Sequence, residues 1–212
     1  MTSLWDQSAR ELLQETASRS PTPGGGSVAA LGGAFGAALV GMALEISVGK
    51  NPAEADLAAM RDLLASIGRH RDHLQALADE DVRAFEGYVA ASNLPRATEE
   101  AKLTRRTALG EASRAATAAP LNIARVAVAV LDLAPRAARL VHQEVVSDVG
   151  AGAALLRGAV QAALLTVDIN VPGLPEGERP ELQAERERLE TRAGALADET
   201  LRLTRERIGE GR

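Results

Sequence analysis

The sequence predicts an all-α protein, an up-and-down bundle of five to six helices with a long central helix rich in alanine and glycine. Apolar residues recur at spacings of three and four along most of the chain, which is typical of helices with one buried face. Aromatic residues make up only 2% of the 212 residues, so the core must consist mainly of alanine, leucine and valine. Such a core suits closely packed helices.

The first three helices are separated by segments that contain proline, which interrupts a helix. The first is predicted over residues 3–18, where Ser3 provides a side chain that caps a helix start. The second covers residues 27–48 and ends at Gly49, and the third covers residues 54–92.

The second half of the chain is predicted to be helical as well. A fourth helix begins at Thr98 and is expected to kink or break at Pro120, because proline lacks the N–H group that a helix interior needs. Residues 166–171 are a candidate for a short extended stretch. A fifth helix covers residues 135–167. A connector rich in glycine and proline follows at residues 172–180, and a charged last helix covers residues 181–208.

Residues 28–44 form an uncharged segment of 17 residues within the second helix. The segment is short and weakly apolar for the roughly 20 residues that a membrane-spanning helix needs. Glycines at positions 32, 36 and 41 permit close backbone approach. We therefore expect a helix buried at the centre of the bundle or at a subunit interface, and no membrane partner.

Composition indicates one globular domain over residues 1–212 and excludes some functions. The chain has 24 basic and 29 acidic side chains and a net charge of -5, which argues against a general nucleic-acid-binding protein. It has no cysteine, so disulfides and thiolate chemistry are excluded. The first residues lack the basic and apolar parts of an export signal, and a cytoplasmic protein is expected.

Residues 21–27, Pro-Thr-Pro-Gly-Gly-Gly-Ser, directly precede the uncharged segment and predict a ligand site. Backbone N–H groups at Gly24, Gly25 and Gly26 can approach a ligand closely, and Ser27 can cap the helix that follows. A helix start of this kind can hold an anion or a polar ring edge.

Two acids lie on apolar helix faces. Asp81 continues the buried face of the third helix, and Asp148 continues that of the fifth. A buried carboxylate needs a partner, and burial raises its pKa toward the range useful for proton transfer. A structural role is an equally good interpretation of each acid. Asp81 could form a salt bridge with an arginine of the fourth helix, and Asp148 could form a hydrogen bond between helices. The face that contains Asp81 is predicted to belong to the core because apolar residues recur along it at spacings of three and four: Met60, Leu63, Ile67, Leu74, Leu77, Phe85 and Tyr88.

Two familiar motifs are excluded. Gly24-Gly25-Gly26-Ser27 resembles part of a dinucleotide-binding loop, but the residues before it predict a helix rather than the strand that such a loop requires. His70 and His73 lie on a charged helix face with no third ligand apparent, so surface histidines are expected and no metal site is predicted.

Several motifs resemble the cyclodeaminase/cyclohydrolase family, which includes the cyclodeaminase domain of formiminotransferase-cyclodeaminase and methenyltetrahydrofolate cyclohydrolases. They are Arg19-Ser-Pro-Thr-Pro-Gly-Gly-Gly-Ser-Val-Ala-Ala-Leu, Val48-Gly-Lys50, Asp81-x-x-Ala-Phe85, Leu94-Pro-Arg96 and Ile169-Asn170. The resemblance covers nearly the whole chain in order. It implies an all-helical homodimer that acts on a tetrahydrofolate derivative as substrate, with no tightly bound cofactor, no nucleic acid and no membrane.

The resemblance also implies residue roles. Asp81 matches the family's catalytic aspartate, and Asp148 matches a second family acid. Lys50 is expected to meet a carboxylate of the glutamate tail, although a charge at the end of the second helix is a competing explanation. Folate contacts are expected from Gly24, Gly25, Gly26, Ser27, Ser147 and Asn170.

The sequence leaves the reaction open. Cyclodeaminases close 5-formiminotetrahydrofolate to 5,10-methenyltetrahydrofolate with loss of ammonia, whereas cyclohydrolases interconvert the methenyl and 10-formyl forms with water. The chain departs from the family pattern at Val141, His142 and Thr166. These departures motivate an alternative, a non-catalytic helical dimer that binds a folate-like ligand or acts as a scaffold.

Overall fold

The computed structural model describes residues 3–210, which are folded into six α-helices and short 3-10 turns, with no strand in that range. The all-α prediction is confirmed. The helices are α1 (Ala9–Thr16), α2 (Gly25–Val48), α3 (Glu54–Ser92), α4 (Glu99–Leu140), α5 (Val146–Asn170) and α6 (Arg179–Glu210).

Helices α2 to α5 form the centre of an up-and-down bundle. Within this group α2 packs against α3, α3 against α4 and α4 against α5. Helix α5 also packs along α2, which closes the bundle. Helix α6 covers the groove between α4 and α5. Its arginine and acidic side chains make ion pairs of 2.7 to 3.1 Å with both helices, at Arg125–Glu185, Arg139–Glu199, Arg192–Asp132, Arg157–Asp198 and Arg186–Asp168.

The closest approach of α2 and α5 occurs where two glycines face each other. A Cβ atom on Gly36 would lie 2.9 Å from the carbonyl oxygen of Gly152, so no side chain fits at this crossing. Gly32, by contrast, has open space around its missing Cβ, and Gly41 is only loosely surrounded. Of the three glycines predicted to permit close approach, the structure uses Gly36.

Some predicted boundaries are wrong. Residues 3–18 contain a 3-10 turn and then α1, because Ser8 accepts from the Glu11 N–H and the Glu11 side chain accepts from the Ser8 N–H. A break at Pro120 does not occur: helix α4 continues through Pro120 to Leu140, and the proline is buried with the core residues of that helix. The fifth helix therefore begins at residue 146 rather than 135, and residues 166–170 are helical instead of extended.

One side of the bundle carries large apolar side chains that stay partly exposed in the described residues, although the Phe35 ring also meets the Trp5 ring, with 6.2 Å between the centroids. The most exposed are Phe35, Leu165 and Ile169, whose exposed fractions are 60%, 66% and 77%. Helices α2 and α4 and the segment Gln143–Gly173 are each long and apolar enough to cross a membrane by length and composition, and half or more of each window is buried inside the bundle. We call the exposed side the apolar face, formed by Val28, Phe35, Met42, Ile46, Leu155, Leu165 and Ile169.

Candidate active site

A cavity of about 430 Å³ opens at one end of the bundle, where four helices meet. The first turn of α2 and the residues before it form one wall, and the C-terminal part of α3 forms another. The middle of α4 and the end of α5 complete it. The lining residues include Thr22, Gly24, Gly25, Gly26, Asp81, Phe85, Tyr88, Ser113, Ala116, Thr166, Ile169 and Asn170.

Asp81 is the acid of this cavity. Its Oδ2 atom accepts a hydrogen bond of 2.7 Å from the Ser27 hydroxyl, and Ser27 itself is fully buried. Burial raises the pKa of the Asp81 carboxyl above its usual value, while the hydrogen bonds from Ser27 oppose part of that increase. Within residues 3–210 Asp81 forms no ion pair with an arginine, so the salt-bridge interpretation is wrong.

The start of α2 is shaped around the Asp81 carboxyl. A Cβ atom on Gly26 would lie 2.7 Å from the Asp81 Cγ atom, so only glycine permits this contact. The helix begins at Gly25 with Gly24 as its cap, two residues earlier than predicted. Ser27 is therefore not the cap, and its hydroxyl is directed at Asp81 instead. N–H groups in the first turn of a helix lack intrahelical acceptors and are available to a ligand.

Two aromatic side chains line the cavity on the same side as Asp81. Phe85 and Tyr88 follow Asp81 by four and seven positions on α3 and are 36% and 40% exposed. The assignment of these two residues to the core is wrong, because α3 extends past the packed part of the bundle and its buried face becomes the cavity wall. They supply the flat apolar surface that a ring system needs.

Helices α4 and α5 contribute polar groups. Asn170 lines the cavity, as predicted, and its side chain donates a hydrogen bond of 2.7 Å to the Ala116 carbonyl oxygen. Thr166 is close to Gly25 across the cavity. Ser113 was missed by the sequence analysis; its only signal is a hydroxyl among buried positions of α4, where it is 6% exposed.

The remaining predicted site residues, Lys50, Ser147 and Asp148, lie at the opposite end of the bundle. Lys50 donates to Glu144 at 2.8 Å and does not approach the cavity. Ser147 and Asp148 occupy the first turn of α5, and the 18 residues from Asp148 to Thr166 span about 27 Å of helix. Asp148 does not line the Asp81 cavity, because α2 and α5 run antiparallel and the cavity lies at the start of α2 and the end of α5.

Clusters of three or more His, Cys, Asp or Glu side chains suited to a metal ion do not occur between residues 3 and 210. His70 stands beside Arg69 and His73, and its partial burial, with a smaller contribution from these two neighbours, lowers its pKa. Asp81 is the carboxyl that lines the cavity, and Ser27 is its hydrogen-bond partner.

Comparison with known proteins gives consistent matches. The family described as formiminotransferase-cyclodeaminase matches residues 8–188. A methenyltetrahydrofolate cyclohydrolase of Methylorubrum extorquens is 34% identical over 91% of this chain and 90% of its own length. The formimidoyltransferase-cyclodeaminases of Rattus norvegicus and Sus scrofa are 33% and 36% identical over 82% and 80% of this chain.

The lengths matched differ between these relatives. The chain spans 32% and 31% of the rat and pig proteins, about a third of each. In structure, it resembles a formiminotetrahydrofolate cyclodeaminase from Thermotoga maritima with a TM-score of 0.85, over 96% of this chain and 98% of the other. At 24% identity this match shows that the two proteins share a fold.

Proposed function

The chain belongs to the formiminotransferase-cyclodeaminase family, and on this premise we propose that it is a folate one-carbon enzyme that acts as a methenyltetrahydrofolate cyclohydrolase. The cyclohydrolase is favoured because the relative with that name matches over nearly the full length of both chains. Cyclodeaminase activity is the second candidate, favoured by the animal relatives, which match over most of this chain.

Asp81 is proposed as the acid–base group. In the hydrolysis of 5,10-methenyltetrahydrofolate, a water oxygen bonds to the carbon held between N5 and N10, and the N5–carbon bond breaks. One water proton ends on N5, and the other is released as the 10-formyl carbonyl forms. The Asp81 carboxylate accepts a proton from the attacking water and returns it to N5. A raised pKa makes this carboxyl a better proton carrier near neutral pH.

The same group serves the second candidate reaction. When 5-formiminotetrahydrofolate closes, N10 bonds to the formimino carbon and ammonia leaves. The formimino group reacts in its protonated form, =NH2+; Asp81 accepts the N10 proton and delivers it to that nitrogen, which leaves as ammonia, and the positive charge stays on the methenyl product. Neither reaction needs a bound cofactor, because the one-carbon unit of the substrate is itself the electrophile.

Other cavity residues are proposed to bind the substrate. Phe85 and Tyr88 offer a stacking surface for the pterin ring, which has few alternatives in a chain with four aromatic residues. Backbone groups at Gly24, Gly25 and Gly26 and the amide of Asn170 offer hydrogen bonds at the ring edge.

We also propose that the protein is a homodimer that pairs through the apolar face. A group of large apolar side chains exposed on one side of a protein commonly marks an interface. Ile169 belongs both to the face and to the cavity wall, so a partner seated on the face would also close the cavity. Small residues with open space, Gly32 on α2 and Gly158 on α5, would let a second copy approach closely.

A twofold axis through the middle of the apolar face would exchange the two ends of the bundle. Because α2 and α5 each run the full length of the face, the end that carries Lys50 in one subunit would lie beside the cavity of the other. Asp148 of the partner subunit would then approach Asp81. This arrangement accounts for two family acids that lie far apart within one chain.

An absorbance assay of the methenyl group separates the candidate functions. The purified protein is given 5,10-methenyltetrahydrofolate in one reaction and 5-formiminotetrahydrofolate in another. We expect enzyme-dependent loss of the methenyl absorbance in the first. Formation of methenyl absorbance in the second, with little hydrolysis, would favour the cyclodeaminase. Turnover of neither substrate would favour the non-catalytic alternative.

A further inference from the structure

A proline inside α4 leaves one backbone carbonyl oxygen at the Asp81 cavity without its regular donor. In an α-helix the carbonyl oxygen of Ala116 would accept a hydrogen bond from the backbone N–H of residue 120. That residue is Pro120, which has no N–H group. Ala116 lines the cavity, and an unpaired backbone oxygen away from water is costly. The Ala116 oxygen therefore needs a donor from elsewhere in the chain.

Asn170, at the end of α5, supplies this donor. Its Nδ2 atom donates a hydrogen bond of 2.7 Å to the Ala116 carbonyl oxygen. A carbonyl oxygen can only accept, so the amino side of the Asn170 amide must face Ala116. The contact fixes the orientation of the amide. It leaves the Oδ1 atom as an acceptor that bonds to no residue between 3 and 210, on a side chain that lines the cavity.

Ser113 lies next to this amide, one turn before Ala116 on the same face of α4. It is 6% exposed and lines the cavity. Its backbone oxygen accepts from Thr117, but within residues 3–210 its hydroxyl forms no hydrogen bond. Buried hydroxyls are normally hydrogen-bonded, so an unpaired one at a cavity wall indicates a polar group of a ligand. Ser113 and Asn170 thus present a hydroxyl and an acceptor side by side.

These two groups match one edge of the ring proposed for the cavity. The pterin of a folate carries an N3–H donor beside the O4 acceptor, so Asn170 can accept from the first while Ser113 donates to the second. In a 4-amino pterin, N3 is an acceptor and an amino group replaces O4. N3 would then face the Asn170 Oδ1 atom, and the amide cannot turn over without losing its bond to Ala116. A site that leaves buried polar atoms unpaired rejects the analogue.

We propose that Asn170 and Ser113 make the cavity select a 4-oxo pterin over a 4-amino pterin, and that Pro120 positions Asn170 for this task. The inference rests on the proposed function, since it requires a pterin ring in the Asp81 cavity. Asn170 and Ser113 are binding residues that touch the ring. Pro120 acts through Asn170, because any other residue at that position would offer the Ala116 carbonyl an N–H group from within α4.

The test uses two ligands that differ only at ring position 4. Folic acid carries an oxo group there and aminopterin an amino group, and isothermal titration calorimetry gives the Kd of each. Wild type is expected to bind folic acid about tenfold more tightly, which is the effect of one unpaired buried polar group. The ratio is expected to fall to about twofold in Asn170→Ala. Ser113→Ala is expected to weaken folic acid about fivefold and aminopterin less.

The variant Pro120→Ala tests the positioning step separately. Alanine supplies an N–H group to the Ala116 carbonyl, so the Asn170 amide is no longer held in one orientation. The ratio of the two Kd values is therefore expected to fall toward that of Asn170→Ala. An unchanged ratio in a folded Pro120→Ala variant would overturn the role given to Pro120.

The matched control is Asn122→Ala, which removes an asparagine side chain of α4 that accepts from Arg125 and does not line the cavity. It is expected to keep the wild-type ratio, and circular dichroism verifies that each variant is folded. Equal affinity of wild type for the two ligands, or the wild-type ratio in both Asn170→Ala and Ser113→Ala, overturns the inference and leaves the folate assignment in place. Binding of neither ligand also overturns it, and turnover in the methenyl absorbance assay then decides whether the folate assignment fails with it.

Discussion

Asp81 and Ser27 form the smallest unit on which the proposed chemistry depends. The carboxyl is half-buried against α2, and Ser27 is the hydrogen-bond donor that holds its Oδ2 atom. Burial disfavours the charged form and the hydrogen bond favours it. The balance between the two sets the pH range in which Asp81 can accept a proton.

Replacement of Ser27 by alanine is predicted to shift the pH dependence of turnover. Without the hydroxyl donor, the ionised carboxyl loses a stabilising interaction, and the pKa of Asp81 rises further. A base must be ionised to act, so the acid limb of the kcat profile is expected to move to higher pH. A lower kcat with an unmoved acid limb would contradict this role for Ser27.

Replacement of Asp81 by asparagine is predicted to stabilise the protein at neutral pH. The pKa of Asp81 is raised on folding, so ionising the buried carboxyl costs stability above the folded-state pKa. That cost disappears as the pH falls and both states become protonated. We therefore expect a higher Tm for Asp81→Asn at pH 7, and a smaller difference in acid. A lower Tm at pH 7 would indicate that the carboxylate is needed for the structure.

The sequence identified these residues but not their arrangement. Helical spacing was enough to place Asp81 on an inward face, and the glycine run was enough to predict an open helix start. Spacing could not show that α3 extends beyond the packed core, so Phe85 and Tyr88 were assigned to the wrong environment. Which atoms meet across helices depends on tertiary packing, and the contact of Ser27 with Asp81 is of that kind.

At the scale of elements, the crossing of α2 and α5 determines how the start of α2 and the end of α5 are placed, and these two segments line the cavity. The glycine pair brings the middle of α2 against the second turn of α5, and Gly25 then lies beside Thr166 at the cavity. The third helix was predicted with the bounds that the structure shows. The boundary between α4 and α5 was not, because Pro120 and Pro135 are accommodated inside one helix by burial that local sequence does not reveal.

Replacement of Gly152 by alanine is predicted to destabilise the bundle. The new methyl group would lie 2.8 Å from the Val40 side chain and would also meet the Gly36 backbone, so the helices must move apart. Overpacking of this kind costs about 1 to 3 kcal/mol in the free energy of unfolding. Urea denaturation measures the change.

The control is Gly68→Ala on α3, where the missing Cβ has open space. There alanine is expected to raise the free energy of unfolding by about 0.4 to 1 kcal/mol. If both substitutions had the same effect, the close crossing of α2 and α5 would not be a determinant of stability.

At the scale of the whole molecule, the proposed dimer explains both the exposed apolar face and the distance between Asp81 and Asp148 within one chain. Mixing Asp81→Asn with Asp148→Asn under conditions that exchange subunits tests it. Each variant alone is expected to be inactive. A heterodimer contains one site with both acids intact, so random mixing should restore about a quarter of the wild-type activity. No recovery after verified exchange would contradict a shared site.

The interface itself is tested by Phe35→Asp. The new carboxylate would lie at the centre of the apolar face, and burying it in an interface is costly when no opposite charge pairs with it. We therefore expect monomers in sedimentation velocity. Leu103→Asp, at an exposed apolar position of α4 outside the face, serves as the control and should remain dimeric. A monomeric wild type would show that the face does not pair two copies.

The central claim, that Asp81 carries the chemistry of a folate enzyme, is tested most directly by the methenyl absorbance assay on Asp81→Asn. The control is Asp62→Asn, an exposed carboxyl on the same helix. We predict that kcat falls by about 10²- to 10⁴-fold in Asp81→Asn and is unchanged in the control. Wild-type activity in a folded Asp81→Asn variant would contradict the claim.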